Sequence, residues 1–199
     1  MPPPGDEQLI ERIQQGENRC FAELVDRHKD RALTVAVRLL RRREDAEEAV
    51  QDAFVRAFRG LAEFRGESKF STWFYRILYN ICLTRLRRGQ VGQAGNVGMT
   101  VSIDDPDGAD PAAAVADEGE DPLDQLDINE TRAIVAEEMA RLPERFRLPV
   151  TLFYVNDMSY EEIAAVLDAP IGTVKTYLFR GRVALRDQVR ARFAEGVHA

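Results

Sequence analysis

Residues 159–182 read SYEEIAAVLDAPIGTVKTYLFRGR, and this stretch decides the fold. Ser159 followed three residues later by Glu162 forms a capping box: hydroxyl and carboxylate each accept from a backbone N–H that the first helical turn leaves free. Ile163, Ala164, Val166 and Leu167 continue at helical spacing, so a short helix starts here. Asp168-Ala169-Pro170-Ile171-Gly172 reads as a turn. Thr173 is expected to cap a second helix whose inward side is Val174, Leu178, Val183 and Leu185. Lys175, Thr176, Tyr177, Arg180 and Arg182 crowd the start of that second helix, which makes the pair a helix-turn-helix. A plain helical hairpin needs caps and apolar stripes, but not cations and hydroxyls where a major-groove reader meets base edges.

Upstream, Ile134, Val135, Met139 and Leu142 carry a helical pattern that Pro143 interrupts, and Phe146 to Val155 form a dense apolar run ending at Asn156-Asp157. Before that, composition changes abruptly. Residues 89–130 hold eleven Asp or Glu and no Lys or Arg, so the formal charge of -7 divides into a strongly negative segment and flanks that sum to +4. Glycines at 89, 92, 95 and 98 and prolines at 106, 111 and 122 punctuate a sequence too poor in apolar residues to bury a core. Forty-two residues of coil do not fit inside one compact domain. The segment reads either as a self-repelling spacer or as an acidic competitor that enters a basic nucleic-acid channel of a partner, and both readings require two bodies. The expected fold is therefore all-α: a helical domain over 1–88, an acidic flexible linker over 89–130, and a helix-turn-helix domain over 131–199. Each body is small enough to be only marginally stable alone.

In the first body, Leu9, Ile10 and Ile13 make a short stripe that ends at Gly16, and Phe21 to Leu40 repeat apolar residues at intervals of three and four. A further helix is expected from about Asp45, with Ala49, Val50, Ala53, Phe54, Ala57 and Phe58 as its packing face. Asp45, Glu48 and Asp52 then form an acidic surface, which is also what ordinary solvated carboxylates would look like. The pattern breaks at Gly60 and Gly66, and Phe64-Arg65-Gly66-Glu67-Ser68-Lys69-Phe70-Ser71-Thr72 reads as a loop. Its aromatics, hydroxyls and cations suit stacking and hydrogen bonding of an unpaired base; a connection whose two Phe side chains close the core would also carry them. Trp73, Phe74, Ile77, Leu78, Ile81 and Cys82 follow as a wide apolar stripe. Ser68 to Arg88 contains five cations and no acid, as phosphate attraction would require.

Two Cys and two His at these spacings form neither a zinc finger nor a redox motif, and there is no glycine-rich phosphate loop. Cys20 and Cys82 read as buried thiols. No cofactor, metal or catalytic constellation is implied, so an enzyme is not expected. With no apolar run long enough to span a bilayer and no export-type start, the cytoplasm is the expected location.

Taken together, the motifs resemble the extracytoplasmic-function RNA polymerase sigma factors, group 4 of the primary-sigma-related family. The resemblance rests on Arg43 to Phe54, on Phe70-Ser71-Thr72-Trp73-Phe74-Tyr75-Arg76-Ile77 with Asn80, on Leu142-Pro143 through Arg145 and Arg147, and on Met158 to Ala164 with Gly172-Thr173-Val174-Lys175. It implies that Asp45, Glu48, Gln51, Asp52 and Phe54 dock on core RNA polymerase. It implies that Phe64, Arg65, Lys69, Phe70, Ser71, Thr72, Trp73, Tyr75, Arg76, Asn80, Arg87 and Arg88 face the minus-10 element, where a flipped base is captured. Thr173, Lys175, Thr176, Tyr177, Arg180 and Arg182 match the helix that enters the minus-35 major groove. The linker matches the segment that threads the polymerase cleft, and an anti-sigma factor is an expected partner by kinship. Four positions depart from the family pattern: Thr84 for Asp, Asp168 for Gly, Tyr177 for Arg and Gly181 for Ala. Gly181 inside a helix costs about 1 kcal/mol relative to Ala, which close approach of another surface would explain. The rivals are a polymerase-independent helix-turn-helix regulator, which needs a dimerisation or ligand-sensing element that the first body does not offer, and a helical adaptor, which leaves the Trp-aromatic-Arg stretch unexplained.

Overall fold

The computed structural model describes residues 4–91 and 128–196, with side chains for 4–88 and 133–194. Among these, every regular element is helical. The first cluster holds α1 (Asp6–Gln14), α2 (Phe21–Leu40), α3 (Arg43–Gly60) and α4 (Phe70–Val91); the second holds α5 (Ile128–Arg141), α6 (Glu144–Tyr154), α7 (Tyr160–Leu167) and α8 (Ile171–Gly196). Of the acidic linker, 89–91 belong to α4 and 128–130 to α5; the rest of it, with the proposed competitor role, lies outside the described residues.

The first cluster forms because three stripes meet. Leu9, Ile10 and Ile13 of α1, Leu24, Val35 and Leu39 of α2, and Val50, Ala53 and Phe54 of α3 are all buried. Phe74 of α4 sits at the centre, fully buried, with its ring stacked on Phe54 at 4.5 Å and on Phe70 at 5.8 Å. α2 stops where Arg41 takes a left-handed conformation (φ 65) and returns its N–H to the Val37 carbonyl. That conformation costs a non-glycine residue about 1 kcal/mol, and it turns the chain sharply into α3.

Two expected boundaries move. α4 begins at Phe70, so Phe70, Ser71 and Thr72 form its first turn and only Phe64 to Lys69 remain as connection. The reason is the stripe itself: Phe70 stands four residues before Phe74 and is buried with it. Likewise α8 begins at Ile171 and not after Thr173. Pro170 precedes the helix, its carbonyl accepts the Val174 N–H, and Thr173 lies within the first turn without serving as cap.

In the second cluster Ser159 caps α7 as expected, accepting from the Glu162 N–H at 3.2 Å while Glu162 accepts from the Ser159 N–H at 2.8 Å. Buried Glu138 is held by Arg141 at 2.6 Å and reached by Arg192 of α8 at 3.9 Å. α6 and α8 approach so closely that a Cβ on Gly181 would stand 2.6 Å from Val150 Cγ2 and 3.3 Å from Phe146 Cβ. Replacing Gly181 with Ala should therefore lower stability by about 1 to 2 kcal/mol, overpacking outweighing the better helix propensity. The urea midpoint checks this, and a rise in midpoint would show that α6 yields freely.

The two clusters pack on each other. α4 lies along α7, α2 lies along α6, and the buried apolar set runs continuously across the seam. Arg147 of α6 donates from Nε and Nη2 to the Leu142 carbonyl (3.1 and 2.7 Å) and from Nη1 to the Arg38 carbonyl (3.1 Å), so one guanidinium serves carbonyls in both clusters. Arg38 in turn donates to the Thr151 hydroxyl at 2.9 Å. Burial, and then the neighbouring Arg147 charge, pulls the Arg38 guanidinium below its ordinary value.

Candidate nucleic-acid interface

Three surfaces carry the candidate chemistry. The first is an apolar groove of about 990 Å³ between α2 and α3, floored by Phe21, Ala22, Val25, Leu33, Val50 and Phe54 and edged by Val55, Phe58, Gln51 and Arg59. Val55 and Phe58 remain 44% and 40% exposed, although the Phe58 ring touches Phe21 at 5.0 Å. The residues expected at a docking face divide around it. Gln51 and Phe54 line the groove, whereas Glu48 and Asp52 turn toward α4, where Arg85 binds them at 2.9 and 2.6 Å and donates to the Asp45 carbonyl at 3.3 Å. Those two carboxylates raise the Arg85 guanidinium against the opposing effect of burial. The groove is the feature that the sequence reading missed, since Phe58 was assigned to the packing face.

The second surface is the start of α4. Phe64 packs on Trp73 at 5.0 Å, and Gly60 gives Trp73 room, its ring lying 3.1 Å from where a Cβ would be. Phe70, Thr72 and Tyr75 are buried; Arg65, Lys69, Arg76, Asn80, Arg87 and Arg88 are exposed, and Ser71 and Trp73 are half-buried. The Thr84 hydroxyl, at the position where the family pattern has Asp, donates to the Asn80 carbonyl at 2.8 Å. Burial raises the Tyr75 phenol above its ordinary value. His28 of α2 stands behind this surface, 5.2 Å from the Phe70 ring, with its Nε2 2.7 Å from Asp6. That hydrogen bond, followed by the His28 and Arg27 charges, holds the Asp6 carboxyl below its ordinary value against the effect of burial.

The third surface is the exposed side of α8. Lys175 and Arg182 point to solvent, Arg180 and Thr173 are half-buried, and the Thr176 hydroxyl donates to the Gly172 carbonyl. Tyr177 does not join them. It is nine-tenths buried, with its ring edge-on to Phe146 at 5.9 Å, on the face that also presents Val174, Leu178 and Gly181. Both cysteines are buried free thiols, and burial pushes Cys82 up to about 12, which removes it from thiolate chemistry at neutral pH. Among the described residues no group of His, Cys, Asp and Glu could hold a metal, and no helix is long and apolar enough to cross a membrane.

Comparison with known proteins agrees with this arrangement. The Sigma-70 region 2 family matches residues 24–91, which contain most of the groove lining and the α4 surface, and the Sigma-70, region 4 family matches residues 132–185, which contain the helix-turn-helix. The ECF RNA polymerase sigma factor SigW of Bacillus subtilis is 34% identical over 188 residues, covering 91% of this chain and 95% of that protein. The chain belongs to the extracytoplasmic-function sigma factors. The RNA polymerase sigma-H factor of Pseudomonas aeruginosa is 35% identical to it, over 90% of this chain and 91% of that one. CnrH, solved in complex with the cytosolic domain of CnrY, superposes on this sigma factor with a TM-score of 0.61 at 25% identity, over 92% of this chain and 96% of that one. The sigma factor RpoE of Bartonella quintana, solved with the anti-sigma factor NepR, shares the fold at a TM-score of 0.61 and 21% identity. As a sigma factor this protein is a non-catalytic initiation factor whose general role is core polymerase binding and promoter recognition.

Proposed function

We propose that this sigma factor brings core RNA polymerase to promoters by reading duplex DNA at a minus-35 element with α8 and by capturing an unpaired minus-10 base with the start of α4. The observation that carries the reading is the capped helix-turn-helix, with Lys175 exposed near the start of its second helix and Arg182 exposed about two turns further along. Thr173 and Thr176 flank Lys175 there, and Arg180 follows one turn on, where a phosphate contact fits. Tyr177, buried on the opposite side, is left out of this set.

At the minus-10 element the exposed Lys69, Arg76, Arg87 and Arg88 follow the backbone, while Phe64, Trp73 and Asn80 surround the captured base. Polymerase docks on the groove through Gln51, Phe54, Val55 and Phe58, and the Arg85-held carboxylates of Glu48 and Asp52 set its register from the adjoining side. An apolar helix is the partner shape that such a groove accepts. The same groove is the proposed seat of an anti-sigma segment; CnrH, solved with the cytosolic domain of CnrY, and the Bartonella protein, solved with the anti-sigma factor NepR, support a protein partner there.

Run-off transcription with purified core polymerase over a promoter library tests the reading directly. Promoter-specific transcripts are expected only when the protein is added. Tight binding of duplex DNA by the free protein, combined with failure to recover polymerase, would replace this reading with the polymerase-independent regulator.

A further inference from the structure

The connection from α3 to α4 carries groups proposed to take the unpaired base, yet it has little of its own to hold it in place. A one-turn 3-10 helix, Leu61–Glu63, ends where the Phe64 N–H returns to the Leu61 carbonyl at 3.2 Å, and Arg65 to Lys69 are all exposed. Gly66 takes a left-handed conformation (φ 71), which turns the chain without tying it to the body. Lys69 pairs across the seam with Glu162 of α7 at 2.9 Å. Within the first cluster, among the described residues, one side chain outside the connection reaches its carbonyls, and that is Gln14.

Gln14 is the last residue of α1. Its Nε2 stands 2.9 Å from the Leu61 carbonyl and 2.9 Å from the Phe64 carbonyl, and an amide nitrogen has two hydrogens, one for each. Both acceptors lie at the end of the 3-10 turn, where carbonyls lack partners within the helix. Phe64 leaves that turn in an extended conformation (ψ 118), so a clamp on its carbonyl fixes how its ring is set against Trp73, 5.0 Å away. α1 is a firm support: Leu9, Ile10 and Ile13 are buried, and Asp6 binds Arg27 and His28 of α2 at 3.1 and 2.7 Å. His28 also lies 5.2 Å from the ring of Phe70, where α4 begins. α1 thus holds the connection at both ends, directly at Phe64 and through His28 at Phe70.

We propose that Gln14 is a positioning residue for base capture: without touching DNA, it sets Phe64 against Trp73 so that the unpaired minus-10 base meets a stacking face already in place. This role rests on the base-capture reading given above. A stacking platform ordered in advance binds more tightly than one that must be ordered by its ligand. Without the clamp, the part of the affinity that depends on the base falls. The part carried by Lys69, Arg76, Arg87 and Arg88 on the strand backbone stays, because none of these cations depends on Gln14 for its place.

The test uses the full chain assembled with core polymerase and compares Gln14→Glu with Gln14→Lys. Glutamate keeps the shape but sets an acceptor against both carbonyls; lysine keeps a donor, and a cation suits the carbonyl end of a helix. Gln14 is exposed, so both variants are expected to fold with melting temperatures near that of the wild type. The probe is a fluorescein-labelled non-template strand carrying the minus-10 element of a promoter recovered from the run-off library, made intact and with an abasic site at each minus-10 position in turn. Affinity for the intact strand divided by affinity for the most damaging abasic strand measures capture, and the ratio cancels the charge that each substitution introduces. Gln14→Glu is expected to lower this ratio about tenfold with recovery of core polymerase unchanged, and Gln14→Lys to restore it. A wild-type ratio in Gln14→Glu overturns the proposal, as does a ratio that stays low in Gln14→Lys. Failure of the capture reading looks different: no abasic site lowers the affinity of the wild type, and the role of Gln14 falls with it.

Discussion

Changing Val55 and Phe58 together to Asp is expected to abolish recovery of core RNA polymerase while leaving the protein folded. Both side chains are apolar yet about two-fifths exposed, a combination that neither a core nor an ordinary surface favours, and they edge the same groove. Placing an unpaired carboxylate in an apolar interface costs about 2 kcal/mol or more per site. Two such sites predict a loss of about a thousandfold in affinity. Thermal unfolding should change little, since neither residue is enclosed in the free protein, although Phe58 gives up its contact with Phe21. Co-purification with tagged core polymerase is the measurement. Undiminished recovery would move docking to the Glu48 and Asp52 edge.

The second large effect concerns Tyr177. Replacing it with Arg should destabilise the protein by about 2 to 4 kcal/mol, because a guanidinium would have to enter a buried position against the Phe146 ring. The preferred minus-35 sequence should stay the same, since Lys175 and Arg182 remain on the exposed side. Selection from a randomised minus-35 library, run beside a melting curve, separates the outcomes. A new preferred sequence at an unchanged melting temperature would return Tyr177 to the groove.

Much of this was legible in the sequence because it is local. The Ser159 and Glu162 capping box and the long stripe of α2 each follow from residues a few positions apart and are found where expected, whereas the turn before α8 ends at Pro170, two residues sooner than expected. The reading of Tyr177 as a base contact weighed residue type over spacing. It lies three residues after Val174 and four before Gly181, and a period of 3.6 puts all three on one face. Gly181 was legible only as an anomaly; the Val150 and Phe146 contacts supply the reason. The groove lay in plain view as a surplus, since Phe54, Val55 and Phe58 cover more of α3 than one packing face needs. The seam had no local signal, because Lys69 and Glu162, or Arg38 and Thr151, stand about a hundred residues apart and charged side chains carry no record of their partner.

The missing side chain at Gly181 also has a mechanical meaning. With no Cβ to hold them apart, α6 and α8 bear directly on one another, and a tightly packed contact transmits displacement in place of absorbing it. α6 is also the helix that Arg147 and Thr151 fasten to α2. A displacement of α2 in the first cluster is thereby passed through α6 to α8, so the two clusters are joined at this point by a stiff contact and not by a compliant one.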